Sequence, residues 1–191
     1  IARRQRHMCI RDSVSTLVGA SLVNPDRLCY VVVGDLTFFY DLNSLGNHHI
    51  GTNLRVMLVN NGRGTEFRLG IHHCNVFGDD ADKYMAAAGH FGNKSPLLVK
   101  HYAEDLGFHY LSATTKEEFM TALSNFTNPQ LSDHSMILEV FTDSKDESEA
   151  LYLMSHIQSD AKGMVRSKLK DAVRNVAGEK GINAIKKILK K

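Results

Sequence analysis

Leu28 to Val33 is a continuous apolar run and Leu54 to Val59 is apolar but for Arg55; each is too short for a helix and too apolar for a strand with one face in water. Runs of this kind suit strands buried on both faces, as in a parallel sheet covered by helices. Between them, Thr37 to about Leu45 places Phe38, Phe39 and Leu42 at helical spacing and facing inward, so strand, helix and strand follow one another. That order is the crossover a parallel strand pair requires. The expectation is an α/β chain, a doubly wound and mostly parallel sheet with helices on both faces.

The rest of the body continues the alternation. Ser13 to Val23 carries Val14, Leu17, Val18 and Leu22 on one helical stripe, and Asn24-Pro25-Asp26 stops it because proline forces an extended predecessor. A glycine- and histidine-containing loop spans Gly62 to Gly78. Asp79 to Ala88 and Ser95 to Leu106 read as helices, the second opening on Ser-Pro. His109 to Ser112 is a short strand. Thr115 caps a helix through Ser124, with Glu118 completing a capping box. Ser135 to Phe141 is the last strand, and Ser144 caps a helix to about Ile157.

Charge divides the chain. Asp160 to Lys191 holds ten Lys/Arg against three Asp/Glu, whereas the 159 residues before it hold thirteen against eighteen. An acidic body with a basic tail argues against nucleic-acid binding by the domain as a whole. The tail reads as two helices, with Val165, Leu169, Val173 and Val176 on one stripe and Ile182, Ile185 and Leu189 on another. A solvated helix pair packing that stripe is favoured over a membrane-surface helix. Neither a membrane-spanning run nor a secretory leader is recognisable. Cys9, Cys29 and Cys74 are odd in number and widely spaced, which suits reduced thiols in a cytoplasm. The opening residues 1–12 begin with Ile and carry an Arg cluster, and they read as a non-native or disordered leader on a fragment. The expected organisation is thus leader 1–12, a ligand-binding domain 13–142, and a helical extension 143–191.

The chemistry is concentrated between Gly34 and Asn61. One buried strand ends at Gly34-Asp35, a helix is expected two residues later, and the next buried strand ends at Asn60-Asn61. Ligands of open α/β sheets sit beyond the carboxyl ends of strands, where these two pairs converge. A helix start there suits a diphosphate. A diphosphate and a carboxylate repel each other, so a cation between them is expected. Mg²⁺, which prefers six oxygen ligands, fits a set made of the Asp35 carboxylate, the Asn61 amide oxygen and phosphate.

At these residues the chain resembles a family. A Gly-Asp pair followed some two dozen residues later by Asn-Asn, each at a strand end, resembles the signature of thiamine-diphosphate enzymes. The variant GDL-x-F-x-YD-x-N, from Gly34 to Asn43, is similar to the menaquinone-pathway succinyl-enolpyruvyl-hydroxycyclohexene-carboxylate synthases and to acetolactate-synthase-like proteins. The resemblance covers about residues 13 to 142. It implies the thiamine-diphosphate-binding fold, with Mg²⁺ held by Asp35, Asn61 and the Arg63 carbonyl. It also implies that Gly34, Leu36, Thr37 and Gly64 contact the cofactor. Leu36 stands where the family has a third glycine, and Cys9-Ile10-Arg11-Asp12 departs from the family's Gly-Ile-Asp-Gly.

The resemblance further implies a 2-oxo-acid decarboxylase or carboligase whose catalytic glutamate comes from a separate pyrimidine-binding domain, usually of a neighbouring subunit. A homo-oligomer, at least a dimer, follows from that. No catalytic residue is therefore assigned to this chain. The loop after Asn61 offers Glu66, Phe67 and Arg68 as substrate-lining residues. Arg68 suits a substrate carboxylate, and equally suits a surface position beside the loop. His48-His49 and His72-His73 read as solvated or core histidines, because adjacent residues do not share a helix face and no further ligand recurs nearby. Three readings stay open: a fragment of such an enzyme, a true small subunit of a two-chain decarboxylase, and a non-catalytic binding module.

Overall fold

The computed structural model describes residues 13–65, 72–80, 95–130 and 133–156. The expectations for residues 1–12, for the helix over 81–88, for Glu66, Phe67 and Arg68, and for the basic tail lie outside these.

Helix α1, Ser13–Val23, leads into strand β1, Cys29–Gly34. Helix α2, Asp35–Asp41, continues into a 3₁₀ segment, Leu42–Gly46, before strand β2, Leu54–Asn60. A further 3₁₀ segment covers His73–Asp80. Helix α3 is Leu98–Asp105, β3 His109–Ala113, α4 Lys116–Phe126, β4 Met136–Phe141 and α5 Ser144–His156. The four strands form one sheet in the order β1-β2-β4-β3, every neighbouring pair parallel. Contacts divide the chain after Ser148, within α5. No helix among the described residues is long and apolar enough to cross a membrane.

Alternation along β2 explains the two layers. Leu54, Val56 and Leu58 face Val14, Leu17 and Val18 of α1, Phe38 of α2, Leu45, and Val99 and Ala103 of α3. The other face carries Met57, Met136, Leu138 and Val140 against Ala122 and Phe126 of α4. Helices thus cover both faces, as expected. The central strands are held at their starts by polar groups: the buried Asn53 amide donates to the carbonyls of Ser21, Asn24 and Arg27, each at 3.1 Å. Ser135 Oγ donates to the Gly51 carbonyl and accepts from Leu54 N–H, both at 2.9 Å, which sets β4 against β2.

Several expectations need correction. β1 is not buried on both faces: Tyr30 is 45% and Val32 66% exposed, because α4 packs on β2, β4 and β3 and meets β1 at its edge, where Phe126 touches Tyr30 edge-on. Leu22 is 43% exposed, and Ser21 takes the inward position instead, its hydroxyl satisfied by the Val18 carbonyl at 2.8 Å. The first crossover helix begins at Asp35 rather than Thr37 and tightens to 3₁₀ at Leu42. The helix expected from Ser95 begins at Leu98, after a turn in which Leu98 N–H donates to the Ser95 carbonyl. At α5 the capping side chain is Asp143, whose carboxylate accepts Lys145 N–H at 2.7 Å, and Ser144 is the first helical residue.

Candidate functional site

Parallel register places Gly34 beside Val59, so the residues that follow β1 and β2 leave the sheet side by side. Asp35 is the first residue of α2 and only 2% exposed. Its Oδ1 accepts the N–H of Leu36 at 2.6 Å, and its Oδ2 accepts the N–H of Arg63 at 2.9 Å. Asn61 Oδ1 accepts that same Arg63 N–H at 2.8 Å. One charged and one neutral oxygen therefore converge on a single point of the turn after β2. The turn reverses at Gly62, whose φ of 72° is the left-handed region that glycine enters without strain.

The back of this turn is built from residues far away in sequence. The Asn61 amide nitrogen donates to Thr65 Oγ1 at 2.8 Å and to Glu147 Oε2 at 2.5 Å. Glu147 lies in the first turn of α5, and its Oε1 accepts from the Thr142 hydroxyl. Thr65 Oγ1 in turn donates to Ser144 Oγ at 3.1 Å. Asn60 points to the opposite face: its amide donates to Glu139 Oε1 at 2.7 Å, while its Oδ1 accepts Gly62 N–H at 3.0 Å. Tyr110 OH donates to Glu139 Oε2, also at 2.7 Å. Glu139 is 1% exposed on β4. Burial raises its carboxyl above the ordinary range, against the lowering effect of the bonds from Asn60 and Tyr110. Burial also pushes the Tyr110 phenol up, and the neighbouring Glu139 adds to this.

The structure thus brings together Asp35, Asn61 and Arg63. Gly34, Leu36, Thr37 and Gly64 flank them in sequence. It does not extend to Glu66, Phe67 and Arg68. Three polar residues of the arrangement, Glu139, Glu147 and Tyr110, were not singled out from the sequence. Among the described residues the histidines stand apart: His48 and His49 are exposed with ring centroids 3.8 Å apart, and His72 Nδ1 accepts Cys74 N–H. No group of three His, Cys, Asp or Glu able to hold a metal occurs among the described residues. The Asp35–Asn61 pair is a different donor set, all oxygen, with a single carboxylate. Hard oxygen donors of mixed charge fit Mg²⁺, which keeps its remaining positions for water and phosphate.

No family model matches the chain. Curated relatives do. The chain is 34% identical over 145 residues to the 2-succinyl-5-enolpyruvyl-6-hydroxy-3-cyclohexene-1-carboxylate synthase of Phocaeicola vulgatus, covering 74% of this chain and 24% of that protein. It is 34% identical over 142 residues to the synthase of the same name from Bacteroides fragilis, with the same two coverages. The Bacteroides thetaiotaomicron synthase is 33% identical over 142 residues. The chain spans about a quarter of the length of the curated relatives it matches. The resemblance read from the Gly34-Asp35 and Asn60-Asn61 pairs is borne out. Over about three quarters of its length this chain is a homologue of part of the 2-succinyl-5-enolpyruvyl-6-hydroxy-3-cyclohexene-1-carboxylate synthases.

Proposed function

We propose that the chain is the diphosphate-gripping domain, residues 13–142, of a thiamine-diphosphate-dependent 2-oxo-acid decarboxylase or carboligase. The observation that carries this reading is the shared Arg63 N–H, which draws Asp35 Oδ2 and Asn61 Oδ1 to one point beyond β1 and β2. On this reading Asp35, Asn61 and the Arg63 carbonyl hold Mg²⁺. Gly34, Leu36, Thr37 and Gly64 line the diphosphate with backbone groups. Asp35 neutralises part of the cation's charge, while the two neutral ligands leave the remainder for phosphate oxygens. When bound, thiamine diphosphate supplies the carbon nucleophile and the electron sink for loss of CO₂ from a 2-oxo acid. This chain's residues anchor it.

The names of the relatives extend the proposal to the whole enzyme. It makes 2-succinyl-5-enolpyruvyl-6-hydroxy-3-cyclohexene-1-carboxylate, with the activating glutamate supplied by a pyrimidine-binding domain of a neighbouring subunit in a cytoplasmic homo-oligomer. Isothermal titration of the chain with thiamine diphosphate tests the anchoring. Binding is expected with Mg²⁺ and is expected to fall steeply in excess chelator. Equal affinity in chelator would refute the cation bridge, and no binding under either condition would refute the function.

A further inference from the structure

We infer that Glu147 is a positioning residue that fixes which way the Asn61 carboxamide points. The inference rests on the reading of Asn61 as a cation ligand, but the contact it describes exists without the cation. Asn61 presents one oxygen and one nitrogen, nearly equal in shape and opposite in hydrogen-bonding character. In the structure both sides of the amide are specified. Its nitrogen faces two acceptors, Thr65 Oγ1 and Glu147 Oε2, and its oxygen faces a donor, Arg63 N–H. Rotating the amide by half a turn would set its oxygen against the Glu147 carboxylate and its N–H groups against the Arg63 N–H. Both contacts would become repulsive at once. Thr65 does not enforce this choice, because a hydroxyl can donate as readily as it accepts. A carboxylate can only accept. Glu147 is therefore the group that makes the choice one-sided.

Glu147 is itself held. Its other oxygen takes the Thr142 hydroxyl, and its own N–H donates to the Asp143 carbonyl at 3.1 Å, which starts α5 beside the turn. The first turns of α5 thus serve a site built at the ends of β1 and β2, and they do so across 86 residues of sequence. With the amide free to rotate, the point facing Asp35 would present N–H groups to a cation for part of the time, and the ligand would be lost for that time. Partners one step behind a metal ligand commonly change metal affinity by about 10- to 100-fold.

The test has one readout that needs no cofactor. In ¹⁵N spectra of the wild-type chain, the Asn61 side-chain NH₂ should give two separate signals whose exchange with water is slow. In Glu147→Ala they should exchange at the rate of an exposed asparagine while the backbone spectrum stays dispersed. The second readout is Mg²⁺ affinity in the presence of thiamine diphosphate. Glu147→Ala should weaken it about 10-fold, and Glu147→Gln, whose amide can donate as readily as it accepts, should leave most of that loss in place. Rapid exchange of the Asn61 NH₂ in the wild type would overturn the inference without any variant. So would a Glu147→Gln variant as tight as the wild type, since a group that can only accept would then not be what fixes the amide. If the wild type binds no Mg²⁺ with the cofactor, the functional reading fails, and the exchange measurement still decides whether Glu147 clamps the amide.

Discussion

Asp35 does two things at once, and a single substitution can separate them. Its oxygens accept the N–H groups of Leu36 and Arg63 in a place only 2% exposed, so Asp35→Ala would orphan the Leu36 donor at about 1–3 kcal/mol and leave the Arg63 N–H to Asn61. Asp35→Asn keeps one acceptor oxygen and removes the charge. Calorimetric titration of that variant should show Mg²⁺-dependent thiamine diphosphate binding weakened by about 10- to 100-fold, or about 1.4 to 2.8 kcal/mol, with the melting temperature lowered modestly, because the new amide sets an N–H against one of the two donors. Intact binding with a large loss of stability would mark Asp35 as purely structural. Glu139 gives a test by pH. Burial raises its folded-state value above the ordinary 4.5, so the folded chain holds this proton to higher pH than the unfolded chain does. Its contribution to stability is complete below about 4.5 and is lost as pH rises through the folded value. Glu139→Gln has no such loss. Denaturant melts over pH 4 to 8 should therefore show the variant gaining on the wild type as pH rises; a gain on acidification would contradict this. Asp35 and Asn61 were legible because each directly follows an apolar run. Glu139 was not, since inside Met136–Phe141 it reads only as an interruption of a strand. Its partners Asn60 and Tyr110 lie 79 and 29 residues away.

Elements whose signals are local matched their expectations most closely. The box at Thr115 is complete: Thr115 Oγ1 accepts Glu118 N–H at 3.2 Å, and Glu118 Oε2 accepts the N–H groups of Thr115 and Thr114. Those backbone bonds hold the Glu118 carboxyl below its ordinary range. Thr115→Ala should cost about 1 kcal/mol, read as a lower denaturant midpoint at unchanged slope. A loss below the error of the melt would mean that α4 is held by the packing of Phe119, Ala122, Leu123 and Phe126 rather than by its cap. The first crossover was harder to delimit. Helical spacing of Phe38, Phe39 and Leu42 is compatible with either helix type over so short a span, and the sequence does not show where α gives way to 3₁₀ at Leu42. Burial of β1 was overestimated for a related reason. Cys29 to Val33 carries no polar alternation, yet Tyr30 and Val32 on its second face stay exposed beside Phe126 of α4.

For the molecule as a whole, the sharpest expectation concerns what the 191-residue chain does by itself. The resemblance assigns the activating glutamate to another domain, and this chain spans about a quarter of its relatives. The purified 191-residue chain should bind cofactor yet show no release of CO₂ from any 2-oxo acid, and turnover by it would refute the division of labour proposed for the two domains. The sequence by itself determined the α/β class and the pair of strand ends from which Asp35 and Asn61 emerge. Both are written in short-range signals: apolar runs of strand length, a helical spacing between them, and polar residues at fixed positions after each run. Only the tertiary structure decided that Asp35 and Asn61 meet on one N–H, and that Glu147 and Glu139 hold the turn from behind. Those facts depend on the parallel register of β1, β2 and β4 and on where α5 begins. Contacts of that range arise when distant segments pack, and nothing in the local pattern of either segment records them.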